Sequence, residues 1–226
     1  MGVSHKIGLD DSYSSICNSS ICNECGGQYP HHHDGCVTLA NKDSVNNISP
    51  EQNSDRGRFI ATYSGAYFYI DECNIEDIPM SDVAHALSMN CRFNGHLKKF
   101  YSVAEHSVLV SRLVDEEDAL WGLLHDVTEA FVPDIPRPFK SLIHGFDEFE
   151  EVLAKKIAEH FDLCWPMPKS VKYIDTHIVG PEADVLFPNP PEWTKHYDDV
   201  CPRGLINGYS PTTAKYMFLQ RLRELT

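Results

Sequence analysis

No stretch of this sequence approaches the ~18–20 consecutive apolar residues that a membrane-spanning helix needs. A helical transmembrane protein is therefore excluded. The opening residues, MGVSHKIGLDDSYSS, lack the apolar core and cleavage pattern of a secretory signal, so a cytoplasmic chain is expected. Basic residues are scarce: 19 Lys and Arg stand against 33 Asp and Glu, a formal charge of -14. Attraction to polyanions drives general binding of nucleic-acid backbones. A nucleic-acid polymer is thus not an expected partner, whereas a small phosphorylated ligand needs only a local basic cluster. No internal repeat and no long heptad run is present. The hydrophobic fraction of 42% and the charged fraction of 23% are near the globular average, which excludes disorder throughout. A length of 226 residues suits one domain of moderate size with an appendage.

Residues 1–57 differ from the rest. They are rich in Ser, Asn, Asp, Cys and Gly and keep no apolar period. We read 1–40 as a Cys/His-rich appendage, 41–57 as a flexible linker, and 58–226 as the main domain. The stretch FIATYSGAYFYI at 59–70 is aromatic and β-branched on both sides of Ser64-Gly65, which predicts a small hairpin. From there the pattern is helical. Met80, Val83, Ala84 and Leu87 fall at i, i+3, i+4 and i+7, so one face is apolar. Further helices are expected over 103–114, 119–131 and 146–161, the second of these apolar on most sides and so buried. Pro133, Pro136 and Pro138 end that buried helix in a stiff loop. Another helix covers 171–179 and is interrupted or ended by Gly180-Pro181. Ser210-Pro211 reads as an N-cap with proline in the first turn, opening a last helix. The expected fold class is mainly α, a helical bundle with a small β-hairpin at its start.

Within this pattern four positions stand out: His106, the adjacent pair His125-Asp126, and Asp175. Imidazole nitrogens and carboxylate oxygens together suit a divalent transition metal of the zinc, cobalt or manganese type. Neighbours on a helix lie about 100° apart, so His125 and Asp126 can share an ion only if it sits beside their helix and other helices contribute. His106 and Asp175 would do so. Burying Asp126 in the apolar stretch LLHDVTEAF without a cation or a hydrogen-bond network would cost several kcal/mol. Glu129 lies four residues after His125, one turn along the same face. Its carboxylate could orient or deprotonate a bound water. Arg92, Lys98, Lys99, Arg137 and Lys140 flank the cluster and could supply the local basic set.

The order His106, His125-Asp126, Asp175 resembles the HD superfamily of metal-dependent phosphohydrolases. YSVAEHS at 101–107, GLLHDVTEAF at 122–131 with DIPRPFK following, VKYID at 171–175, and HALSMNCRFNGH at 85–96 are similar to the small HD-type 5'-deoxynucleotidases. They are also similar to phage-encoded dATP triphosphohydrolases, for which the host cytoplasm is the location. The resemblance covers 59–226 and implies an HD-domain helical bundle. It implies His106, His125, Asp126 and Asp175 as metal ligands, Glu129 as general acid/base, and Arg92 and Lys140 as phosphate contacts. Phe93 stands where the family often has Trp and could stack on a base. The favoured implication is a deoxynucleoside triphosphate triphosphohydrolase, turning dATP into deoxyadenosine and triphosphate, with Mg accompanying the phosphate chain. A 5'-deoxynucleotidase acting on monophosphates is the alternative. A non-catalytic nucleotide-sensing protein on the same scaffold is a third reading. A homo-oligomer is expected.

Of the eight cysteines, four precede residue 37. A disulfide framework is not expected without a secretion signal. Cys22, Cys25, His31 and Cys36 instead suggest a small structural zinc site, with His32 or His33 able to replace His31 and Cys17 to spare. A tail with adventitious metal affinity is the equal alternative.

Overall fold

The computed structural model describes residues 57–226. The appendage and linker readings, including the zinc site at Cys22, Cys25, His31 and Cys36, lie outside the described residues. The described chain is mainly helical, with a two-stranded antiparallel hairpin first. Among these residues no helix is long and apolar enough to cross a membrane.

The hairpin pairs β1 (Phe59–Ala61) with β2 (Tyr67–Tyr69), Ile60 opposite Phe68. Gly65 takes the positive φ of +93° that the turn requires and that glycine tolerates best. The turn is fastened to α1 (Met80–Met89) by Asp82. One Asp82 oxygen accepts the Thr62 hydroxyl at 2.6 Å and both the amide and hydroxyl of Ser64. Phe68 stacks on Phe131 at 3.8 Å, joining the hairpin to the segment that carries the proposed ligands.

Two helices frame that segment: α2 (Val103–Leu113) and α3 (Ala119–Leu124). Ser102 caps α2 by accepting the Glu105 amide at 3.1 Å. The helices meet closely at Gly122, where an added Cβ would lie 2.9 Å from the Ser111 Cα. Ser111 also donates to the Ala119 carbonyl at 2.8 Å. This approach sets the spacing of His106 on α2 and His125 at the end of α3. Gly122→Ala should therefore cost about 1–3 kcal/mol, read as a lower urea midpoint, and should weaken metal retention in the folded fraction.

A single helix over 119–131 is not what forms. Helix α3 ends at Leu124, Asp126 leaves helical geometry at φ -103°, ψ 16°, and a 3-10 turn follows over Val127–Ala130. The cause is local. The His125 ring donates from Nδ1 to the Gly122 carbonyl at 2.8 Å, the acceptor that the Asp126 amide would use in a continued helix. The break also relieves the constraint of 100° between neighbours and lets His125 and Asp126 aim at one point.

After the proline loop come a short α4 (Arg137–Lys140) and the amphipathic α5 (Phe146–His160). Helix α6 (Lys169–Leu186) corrects a second expectation, since it runs straight through Gly180-Pro181. Proline inside a helix costs about 3 kcal/mol, but here the second half of α6 is anchored. Ile178, Ala183 and Leu186 are buried. The bare Gly180 lets the 3-10 segment Glu192–His196 close in, and a Cβ there would meet Tyr197 Cβ at 2.7 Å. The chain ends in α7 (Pro211–Leu225), capped by Ser210. Its Ala214, Phe218 and Leu222 enter the core shared with α1 and α2.

Candidate metal centre

His106 reaches the centre from α2, His125 and Asp126 from the break after α3, and Asp175 from α6. All four residues named from the sequence are brought together. His106 Nε2 stands 3.2 Å from His125 Nε2 and 3.2 Å from Asp175 Oδ1. His125 Nε2 lies 3.3 Å from Asp126 Oδ2 and 3.5 Å from Asp175 Oδ1. Donors about 2.1 Å from a shared tetrahedral ion would stand ~3.4 Å apart, so the spacing fits one ion.

The tautomers point the same way. His125 Nδ1 faces the Gly122 carbonyl, and His106 Nδ1 faces Glu182 Oε1 at 2.6 Å. Both Nδ1 positions must carry the proton, so both Nε2 lone pairs turn inward toward two carboxylates. Such a ring of acceptors repels itself unless positive charge fills it. Burial opposes protonation of His125, yet Asp126 and Asp175 outweigh burial and hold its pKa well above the usual imidazole value. For Asp175, burial pulls upward, while His106 and His125 hold the carboxyl well below its usual range. The cluster thus calls for a proton or a cation, and these four residues could hold a metal ion.

Beside it opens a cavity of about 480 Å³, into which Asp175 and Glu129 face. Glu129 Oε2 is buried without a hydrogen-bond partner. Burial, with Asp126 and Asp134 nearby, pushes its carboxyl well above the usual range. It sits in the 3-10 turn, not on one helical face with His125 as the spacing suggested.

Arg92, Phe93 and Lys140 also line the cavity, as do Arg137, Trp193 and Tyr197. Phe93 and Asn94 adopt left-handed φ of 54° and 50°. Such backbone costs about 1–2 kcal/mol per residue and tends to mark functional sites. Arg92 is already engaged, 3.1 Å from Glu182 and 3.6 Å from Asp126, although its buried Nε has no partner. Lys140 pairs with Glu150 at 2.9 Å. Arg137 has no ion-pair partner among the described residues. Trp193 contacts Tyr197 edge-on at 5.9 Å and Phe187 at 6.5 Å, and Phe187 in turn meets Phe93 at 5.4 Å.

Sequence reasoning missed Glu182, Trp193 and Tyr197. Glu182 is seven residues after Asp175, on the same helical face, a signal hidden by the expectation that α6 stops at Gly180-Pro181. The two aromatics sit in a Pro-rich stretch with no periodicity to read.

No family model matches the chain. It is similar to a protein of Escherichia coli (strain K12) called uncharacterized protein YfdR. The two are 38% identical over 170 residues, which cover 74% of this chain and 96% of the relative. An uncharacterized protein of Rhodobacter capsulatus is 33% identical over 154 residues, covering 57% of this chain and 75% of the relative. With nearly the whole of the Escherichia coli protein spanned at that identity, the chain belongs to the YfdR family.

Proposed function

We propose that this chain is a metal-dependent nucleotide phosphohydrolase of the HD superfamily. Its favoured reaction is hydrolysis of a deoxynucleoside triphosphate such as dATP to deoxyadenosine and triphosphate. The observation that carries the reading is the two-imidazole, two-carboxylate cluster with the unpartnered Glu129 at the edge of one cavity. When bound, a divalent ion lowers the pKa of its water toward neutrality and offsets charge on a phosphoryl oxygen. Glu129 takes a proton from the attacking water and returns one to the 5'-oxygen as its bond to phosphorus breaks. Arg92 and Arg137 hold phosphate oxygens. Phe93, Trp193 and Tyr197 offer apolar faces to a base and limit entry of bulk water.

One observation favours a monophosphate instead. Arg92 and Lys140 are both ion-paired, which leaves Arg137 to meet a longer phosphate chain. The test is to incubate the metal-loaded protein with nucleoside mono-, di- and triphosphates and resolve the products. Deoxyadenosine with intact triphosphate supports the favoured reaction. Orthophosphate, with dAMP consumed faster than dATP, makes the protein a nucleotidase. Nucleotide bound without turnover makes it a sensor. For the favoured reaction, Arg137→Ala should lower kcat/KM for dATP about ten-fold, ~1.4 kcal/mol, and lower that for dAMP less.

A further inference from the structure

Glu182 is fully buried on α6, a place where an acidic side chain needs a reason. Its Oε1 accepts the His106 Nδ1 proton at 2.6 Å and the Tyr101 hydroxyl at 2.7 Å. Its Oε2 accepts from Arg92 Nη2 at 3.1 Å. All three donors are themselves buried, so water does not compete for them. We propose that Glu182 is a positioning residue that locks a metal ligand and the cavity arginine into one frame. This rests on the metal-centre reading above.

A carboxylate on the far nitrogen of a ligating imidazole fixes its tautomer and raises its basicity. Glu182 does this for His106, directing the Nε2 lone pair at the other three donors. The same carboxylate takes one end of Arg92, whose Nη1 lies 3.6 Å from the ligand Asp126. Arg92 therefore spans Glu182 and Asp126, with its buried Nε left open and its side chain on the cavity wall. Helix α6 delivers both Asp175 and Glu182, two turns apart on one face. A shift of α6 would thus disturb a ligand, the ring of a second ligand and the arginine together.

The competing view is that Glu182 only neutralises Arg92 in the core. The two differ in what Glu182→Gln does to Co2+ binding, measured on the full chain by competition with a chromophoric chelator. The amide keeps the shape, but one carbonyl must serve three donors. A positioning role predicts Co2+ affinity weakened by ~10–100-fold, a displaced His106 Nδ1 proton resonance in the metal-free protein, and weaker binding of inorganic phosphate to the metal-loaded protein. A core-neutralising role predicts a lower Tm with Co2+ affinity within about two-fold of the parent, and that result overturns the proposal. If Glu182→Gln does not fold, Glu182→Asp carries the test. It keeps the charge one methylene short and should still lose about ten-fold in Co2+ affinity, whereas unchanged affinity overturns the proposal. Co2+ binding needs no nucleotide. A parent protein that binds Co2+ and hydrolyses nothing sinks the proposed reaction alone, and one that binds no Co2+ sinks both.

Discussion

Glu129→Gln should retain its metal, bind nucleotide and lose turnover by ~10²–10⁴-fold. The expectation follows from what the side chain does not do. Glu129 Oε2 has no hydrogen-bond partner, so the amide forfeits no contact there that holds the turn. Residue 129 is held through its backbone, its amide donating to the Asp126 carbonyl at 2.9 Å and its carbonyl accepting from Asn90 at 3.4 Å. What glutamine removes is the ability to take a proton. Burial and the neighbouring Asp126 and Asp134 raise the affinity of the native carboxylate for a proton, a property the amide lacks. Single-turnover rates and metal content by atomic emission would decide the matter. Loss of metal along with turnover would make Glu129 a ligand and require the mechanism to be rewritten.

Asp126→Ala should remove bound metal and activity together while the helical circular dichroism signal stays. Asp126 Oδ2 lies 3.3 Å from His125 and 3.5 Å from His106, so alanine opens one side of the donor ring. The substitution falls where the chain has already left the helix, so few backbone hydrogen bonds are at stake. A ligand that binds only the folded state stabilises it by about 4 kcal/mol at a thousand times its Kd. Added metal should therefore raise the Tm of the parent and leave that of the variant unmoved. Full activity of the variant in the presence of chelator would overturn the four-residue centre.

Much of this arrangement is legible in the residue pattern. The hairpin around Ser64-Gly65, the apolar faces of α1 and α5, and the Ser210 cap depend on near neighbours, and each forms as expected. The clustering of the four residues that could hold a metal ion is legible too, because polar residues in an apolar stretch need partners. What was not legible depends on distant contacts. The early end of α3 is the exception, a local one: the His125 ring takes the Gly122 carbonyl, which no propensity or periodicity signals. The helix α6 survives Pro181 because Gly180 admits the Tyr197 segment and Glu182 finds three donors across the core. Lys140 lines the cavity, and its pairing with Glu150, ten residues on, has no signal in the residue pattern.

The link between α2 and α6 through Glu182 also bears on the order in which the molecule assembles. Helices α2 and α3 are close in sequence and can pair early, since short loops close at little entropic cost. Asp175 and Glu182 arrive much later along the chain. Until α6 docks, His106 lacks the acceptor that sets its ring, and the donor ring lacks its fourth member. A metal held by all four donors would then be captured late in folding, and its release would be coupled to local opening of one helix.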